Sequence, residues 1–184
     1  HFLDPMCGSG TILIEAAMIA CNIPANIHRK EFTFQKWKDW DPILFETIRT
    51  SLLSKTKEMH YTMQGYDIDP QSIKIAKQNI LNAGLEEFIS ITKKDFFESE
   101  KQVQGPLHIL FNPPYGERMD IELEQFHENI GNTLKRNYPN TNAWMITGNL
   151  EAIKFIGLRP SRKIKVFNGP LEAKLVKYEM YEGS

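Results

Sequence analysis

Short apolar segments of strand-like composition alternate with helix-like segments along this chain. The strand candidates are Phe2-Leu3, Tyr61 to Tyr66, Phe88 to Thr92, Leu107 to Phe111 and Ala143 to Thr147. Such alternation is typical of a parallel sheet whose strands are joined by crossover helices. We therefore expect an α/β fold in which most strands are parallel.

Two connecting segments carry helix signals. Thr11 to Ala20 is apolar on nearly every face, which predicts a helix buried against the sheet. A second helix begins at Asp69-Pro70, because Asp can cap a helix and Pro suits its first position. It is expected to end at Gly84, with one apolar face made of Ile73, Ala76, Ile80 and Ala83.

The end of the chain and its second quarter depart from this pattern. Ile164 to Phe167 and Lys174 to Tyr181 are joined by so short a link that they are expected to pair antiparallel. Residues 22–60, with the periodic segment Ile43 to Leu53, form an insertion that we expect to be mostly helical.

Length and composition favour one domain spanning residues 1–184, because 184 residues with 41% hydrophobic content suffice for one core. No apolar run approaches the roughly 20 residues of a membrane span, and no signal peptide is visible. The two cysteines, Cys7 and Cys21, fit a reducing compartment. We expect a soluble, cytoplasmic protein without a membrane partner, whose natural sequence extends N-terminally beyond His1.

The charge balance and the positions of the histidines bear on metal binding and nucleic-acid binding. The five histidines lack ligand spacing, so no metal site is expected. Lys and Arg total 22 against 23 Asp and Glu, which counts against nucleic-acid binding by this segment alone. Six basic residues are possible phosphate contacts, although a solvated surface is the simpler interpretation of each: Lys135, Arg136, Arg159, Arg162, Lys163 and Lys165.

The first site candidate is the glycine-rich turn from Asp4 to Thr11, which connects a strand to a helix. Pro5, Gly8 and Gly10 allow a sharp turn and close approach of a ligand to the helix N-terminus. The spacing fits neither a dinucleotide-binding turn nor a P-loop. Asp4 adds a carboxylate suited to an ammonium group, such as that of S-adenosylmethionine. A tight turn without a ligand is the alternative.

Two further candidates follow the next strands. Asp67 can accept both hydroxyls of a ribose lying across the strand ends, and Ile68 can pack on an adenine ring. Asp69 is better explained as a helix cap. Asp95 can accept from the adenine amine and Phe96 can cover the ring, although a loop Asp followed by core aromatics is equally consistent.

The most specific candidate is Asn112-Pro113-Pro114-Tyr115, directly after the apolar strand Leu107 to Phe111. The Asn112 side-chain oxygen and the Pro113 carbonyl can each accept one N–H of a base amine, which aims its lone pair at a methyl donor. Pro113 and Pro114 remove competing donors, and Tyr115 can stack on an unpaired base. These residues predict the catalytic site; a Pro-Pro turn that only ends the strand is the alternative.

These residues together resemble a known family. The turn Asp4 to Thr11 continuing through Ile14-Glu15-Ala16-Ala17, the Asp67-Ile68-Asp69 segment and Asn112 to Arg118 are similar to the THUMP-associated RNA methyltransferases. Within that family the chain most resembles the bacterial enzymes that make N2-methylguanosine in 23S ribosomal RNA, and Phe167 to Glu172 adds to the likeness.

The resemblance implies a class I S-adenosylmethionine-dependent methyltransferase fold, Rossmann-like, with seven strands and a C-terminal antiparallel hairpin. It assigns Asp4, Gly8 and Gly10 to the methionine end of the cofactor, Asp67 to ribose and Asp95 to adenine. It assigns Asn112 to Tyr115 to the target amine. It also implies an N-terminal THUMP module that binds the RNA partner and is absent from this chain.

Three alternatives remain open from the sequence. The same turn can hold the N6 amine of adenine in DNA or RNA. A domain that only binds its cofactor or RNA, without chemistry, is a second alternative. A dinucleotide-dependent oxidoreductase is a weaker third, because the glycine spacing is unsuitable.

Overall fold

A computed structural model describes residues 1–27, 29–114 and 120–182. Seven strands form one mixed sheet of order β3-β2-β1-β4-β5-β7-β6. Their bounds are β1 Phe2–Asp4, β2 Met63–Asp67, β3 Ile89–Lys93, β4 Leu107–Phe111, β5 Thr141–Thr147, β6 Arg162–Asn168 and β7 Leu171–Met180. Strands β1 to β5 pair in parallel, whereas β7 runs antiparallel to both β5 and β6. The predicted fold class and the antiparallel end are confirmed.

The described residues form four α-helices: α1 Thr11–Ala20, α2 Pro42–Leu53, α3 Pro70–Asn82 and α4 Asp120–Asn137. Helices α1, α3 and α4 contribute to the core against the sheet, whereas α2 buries no side chain. Asp69 caps α3 by accepting from the backbone N–H groups of Gln71 and Ser72, and Pro70 occupies the first turn. Gly84 follows the C-terminus of α3 with a φ of 65°. The sequence prediction for this helix is therefore confirmed.

Short 3-10 helices at Thr33–Lys36, Phe96–Glu98 and Ala152–Ile156 complete the described elements. Two expectations need correction. Residues 22–60 are less helical than expected, because Thr33–Lys36 and α2 are the only helices among their described residues. Helix α1 buries only Leu13 and Ala17 completely, and Ile19 is exposed, so α1 packs on the sheet by one face.

Alternating side chains of β2 show how the core divides into two clusters. Met63 packs with Ile73 and Leu13 beneath α1 and α3, whereas Tyr66 belongs to a cluster with Ile130 and other residues beneath α4. Because successive strand residues point to opposite faces, the two clusters lie on the two sides of the sheet. In the described part of the chain, no helix is long and apolar enough to cross a membrane.

Candidate functional site

A cavity of about 620 Å³ opens at the carboxyl edge of the parallel strands. The turns after β1, β2, β3 and β4 all contribute to its wall, and helix α4 adds one side chain. Its lining residues are Pro5, Met6, Gly8, Asp67, Ile68, Asp69, Ser72, Lys94, Asp95, Phe96, Phe97, Asn112, Pro114 and Phe126. Four turns that are far apart in sequence thus form one site, as expected for the carboxyl edge of an open α/β sheet.

The turn after β1 contributes Pro5 and Gly8 to the cavity, while Asp4 and Gly10 lie behind it. Gly8 has a φ of 51°, and a Cβ added there would meet no protein atom within 4 Å. Gly10, with a φ of 81°, precedes α1, and an added Cβ would lie 3.3 Å from Cβ of Ala76. Gly8 therefore keeps the ligand side of the turn open, whereas Gly10 allows the turn to approach α3.

Asp4 is a buried carboxylate whose Oδ1 accepts the backbone N–H of Met6 at 3.2 Å. Burial raises its pKa to about 7; the bond from Met6 opposes this shift and the nearby charge of Asp67 adds to it. Burial likewise raises the pKa of the Cys7 thiol to about 12, so Cys7 is protonated at neutral pH. The turn thus holds a carboxyl group that a neighbouring cation would ionise.

Asp67 connects the first two turns. Its Oδ2 accepts the backbone N–H of Gly8 at 2.9 Å, and its Oδ1 accepts the backbone N–H of Asp69 at 2.9 Å. Each oxygen retains a further lone pair for a ligand hydroxyl. Ile68 is 64% exposed beside it, so an apolar side chain faces the cavity without protein cover.

The turn after β3 brings a carboxylate and two aromatic rings. Asp95 lines the cavity, and its Oδ1 accepts the backbone N–H of Phe97 at 2.8 Å. Phe96 reaches the cavity but is mostly buried against Phe111 and Tyr138. Phe97 therefore presents more aromatic surface to a ligand than Phe96 does.

The turn after β4 supplies Asn112 and Pro114 to the cavity wall, and both residues are exposed. Pro113 is buried between them. Tyr115 lies outside the described residues. The amide of Asn112 therefore opens into the same cavity as Asp67 and Asp95.

The roles assigned from the sequence leave out several lining residues, of which Phe97 and Phe126 are the largest. Their rings meet edge to face with centroids 5.4 Å apart. Phe126 comes from α4, where Phe126, Ile130 and Leu134 follow each other at intervals of four residues. That period is a helix signal, and it could have placed Phe126 on the face toward the sheet.

A second cavity of about 540 Å³ lies among residues 24–52, lined by Phe32, Phe45 and Arg49 among others. It shares no lining residue with the cavity at the strand ends, and the four turns described above do not reach it. Among the described residues, no group of three or more His, Cys, Asp or Glu side chains is arranged to hold a metal ion.

This strand order, with a glycine turn after β1, a carboxylate after β2 and an Asn-Pro-Pro turn after β4, defines a class I methyltransferase domain. Residues 1–177 match the family UPF0020, described as the RMKL-like methyltransferase domain, and the chain belongs to that family.

Relatives and solved structures agree with this assignment. The chain is 35% identical to ribosomal RNA large subunit methyltransferase K/L of Cellvibrio japonicus (strain Ueda107), over 97% of this chain and 25% of that protein. It superposes with a TM-score of 0.88 and 26% identity on SMU.472, a putative methyltransferase complexed with SAH, covering 100% of this chain and 48% of the other.

A third likeness is to a predicted N6-adenine-specific DNA methylase from Listeria monocytogenes str. 4b F2365, with a TM-score of 0.81 and 28% identity over 97% of this chain and 46% of that one. The chain spans about a quarter of the length of the curated relatives that it matches.

Proposed function

We propose that this chain transfers a methyl group from S-adenosylmethionine to an exocyclic amine of an RNA base, and that the target is guanine N2 of 23S ribosomal RNA. One observation carries the proposal: the Asn112 turn opens into the same cavity as Gly8, Asp67 and Asp95. The name of the relatives, ribosomal RNA large subunit methyltransferase K/L, supports RNA as the substrate. The proposal includes action in the cytoplasm and an N-terminal RNA-binding module in the whole protein.

The residues of the cavity fit S-adenosylmethionine. A volume of about 620 Å³ is within the usual range for small-ligand sites. The cofactor carries an ammonium group, a ribose with two hydroxyls and an adenine with an amine, and the chain offers one carboxylate for each. Asp4 would balance the ammonium from behind the glycine turn, Asp67 would accept from the ribose, and Asp95 would accept from the adenine amine.

When bound, S-adenosylmethionine supplies a methyl group activated by its sulfonium charge. The base amine is a weak nucleophile, because its lone pair is delocalised into the ring. The chain must therefore make this lone pair available for attack. Asn112 Oδ1 and the Pro113 carbonyl would each accept one N–H, which holds the nitrogen with its lone pair toward the methyl group. Pro113 and Pro114 bring no N–H donor that could compete for these oxygens.

Atoms and charge balance without a strong base. As the amine nitrogen forms its bond to the methyl carbon, the carbon–sulfur bond breaks and its electron pair stays on sulfur. The methylated amine is then cationic and readily loses its extra proton to water. Asn112 and Pro113 contribute by positioning and by stabilising the positive charge that develops on the N–H groups.

The test is to incubate the whole protein that contains this chain with isotopically labelled S-adenosylmethionine and unmodified, deproteinised ribosomal RNA, and to analyse the nucleosides by mass spectrometry. We expect labelled N2-methylguanosine. If S-adenosylhomocysteine binds but no RNA or DNA is methylated, the proposed chemistry is wrong and the domain only binds its cofactor.

A second candidate is methylation of adenine N6. The likeness to the Listeria protein favours it, because the same turn can hold either amine. The same experiment, repeated with DNA, distinguishes the two. If the labelled product is N6-methyladenine and not N2-methylguanosine, the target is adenine N6, and the role of Asn112 is unchanged.

A further inference from the structure

Positive charge is concentrated in the C-terminal hairpin, although the whole chain carries a net charge of −1. Residues 159–180 contain six Lys and Arg and two acids, Glu172 and Glu179. This segment therefore carries +4, which leaves −5 on the rest of the chain. So uneven a distribution creates a local field that attracts an anionic partner.

The pairing of β6 with β7 brings like charges face to face. Arg162 lies opposite Lys177, and Lys165 lies opposite Lys174. Like charges directly across two strands destabilise the pair. Such pairs add no stability to the folded hairpin unless an acidic group neutralises one of the two charges.

Acidic neighbours neutralise only part of this charge. Lys165 pairs with Glu172 at 2.7 Å, and Lys177 pairs with Glu179. Among the residues that the structure describes, no carboxylate lies within 4.0 Å of the other four, which are Arg159, Arg162, Lys163 and Lys174. The hairpin therefore keeps unneutralised cations at its surface.

The hairpin turn lies at the same edge of the sheet as the cavity. Phe111, the last residue of β4, is level with Met145 of β5 and Val176 of β7. Strand β5 ends at Thr147, which pairs with Lys174, so Leu171 and the turn before it extend beyond that end. From β4 to β6 there are three strand spacings, or about 14 Å.

Register also decides which cations share a face. Lys163 and Lys165 lie on the same face as Lys174, and this face continues through the buried Val176 into the core beneath α4. On the same face, the ring of Phe167 is 64% exposed and lies 5.1 Å from Nζ of Lys165. Three lysines, an aromatic ring and Glu172 thus form a surface of net charge +2 beside the cavity, on the side of the sheet that α4 covers.

We propose that this surface, made of Lys163, Lys165, Phe167 and Lys174, binds the RNA strand next to the target nucleotide; this inference rests on the proposed function. The lysines bind backbone phosphates, and Phe167 stacks on a base that flanks the target. A phosphate near Lys163 and Lys174 would meet two ammonium groups that no carboxylate neutralises among the described residues. The surface gives the domain an RNA contact of its own despite its negative net charge.

The test compares two double variants of equal charge change. Lys163→Gln with Lys174→Gln alters the proposed surface, whereas Lys74→Gln with Lys77→Gln alters exposed lysines on α3, beside the other end of the sheet. Binding of a fluorescently labelled stem–loop RNA is measured by anisotropy over a range of salt concentrations. Calorimetry with S-adenosylhomocysteine and thermal unfolding are measured on the same samples.

For the hairpin variant we expect roughly tenfold weaker RNA binding. We also expect the slope of log K against log salt concentration to be shallower by about 1.5. Its affinity for S-adenosylhomocysteine should match that of the wild type, and its melting temperature should be equal or higher because a like-charge pair is gone. The α3 variant should bind RNA as the wild type does.

The proposed RNA-binding surface would be wrong if the hairpin variant bound RNA as tightly as the wild type. It would also be wrong if both variants lost the same amount of affinity. The same holds if the wild-type chain binds S-adenosylhomocysteine but not RNA. In these cases the cofactor site of the proposed function stands. Failure to bind S-adenosylhomocysteine at all would instead refute the proposed function, and the inference with it.

Discussion

The backbone N–H of Gly8 donates a hydrogen bond of 2.9 Å to Oδ2 of Asp67, across 59 residues of sequence. The other carboxylate oxygen accepts the backbone N–H of Asp69. One side chain therefore joins the turn after β1 to the turn after β2. The two turns form adjoining walls of the cavity, so Asp67 fixes their relative position.

Replacing Asp67 by Ala leaves two backbone N–H groups without their acceptor. We expect the free energy of unfolding to fall by about 1–3 kcal/mol and the affinity for S-adenosylhomocysteine to fall at least about tenfold. Chemical denaturation and calorimetry measure the two effects.

Asp41→Ala is the matched control, because Asp41 also accepts two backbone N–H groups, those of Ile43 and Leu44, at the start of α2. It should cost about 1 kcal/mol as a lost helix cap and leave ligand affinity unchanged. If Asp67→Ala behaves like this control, Asp67 only stabilises the fold.

Replacing Ile68 should affect ligand binding without affecting the stability of the fold. Because it is 64% exposed, Ile68→Ala should change the free energy of unfolding by less than about 0.5 kcal/mol. If its side chain packs on adenine, S-adenosylhomocysteine should bind about fivefold more weakly, the equivalent of about 1 kcal/mol of lost apolar burial. Ile75→Ala on α3, at a residue 42% exposed and outside the cavity, should alter neither quantity. Equal affinities of the two variants would exclude Ile68 from the adenine site.

The buried carboxyl group of Asp4 should make stability depend on pH. With a folded pKa of about 7 against about 4 when unfolded, the folded chain keeps a proton that the unfolded chain releases between these values. The free energy of unfolding therefore falls as pH rises from 4 to 7, by up to about 4 kcal/mol in total. Asp4→Asn should be more stable than the wild type at pH 8 and equally stable near pH 4, as measured by urea denaturation.

The same substitution should weaken the binding of a ligand that carries an ammonium group. Wild-type affinity for S-adenosylhomocysteine should rise from pH 6 to pH 8 as Asp4 ionises, and Asp4→Asn should lose this rise. A pH dependence that persists in the variant would assign it to another group.

Much of the cavity lining was predictable, because polar residues at the ends of apolar strands meet at one edge of a parallel sheet. Asp67 ends β2, Asp95 lies two residues after β3 and Asn112 directly follows β4, and all three line the cavity. The cap role of Asp69 was predictable from the neighbouring Pro70, since a helix cap depends on local sequence.

Other features depend on packing that sequence spacing does not encode. The period of Phe126, Ile130 and Leu134 indicates which face of α4 turns toward the sheet, but that Phe126 reaches the cavity depends on where α4 packs. Asp4 was expected at the ligand surface, yet its carboxylate lies behind the cavity wall. Whether a turn residue faces inward or outward depends on tertiary contacts.

Asn112 offers the sharpest test of the chemistry. Its side chain is exposed at the cavity wall, so Asn112→Ala should fold normally, and the affinity for S-adenosylhomocysteine should fall no more than about fivefold, the equivalent of one hydrogen bond. Methyl transfer should fall by about 10²–10³ in kcat, the usual cost of removing one oriented hydrogen-bond partner of the reacting group. Single-turnover assays with saturating RNA and S-adenosylmethionine measure this step directly.

Asn82→Ala is the matched control, because Asn82 is an exposed asparagine at the C-terminus of α3 and does not line the cavity. It should methylate at the wild-type rate. Since Asp keeps an acceptor oxygen at nearly the same position, Asn112→Asp should retain more activity than Asn112→Ala. Near-normal turnover by Asn112→Ala would mean that the amine is not held by this side chain, and the orientation of its lone pair would then need another acceptor in the cavity.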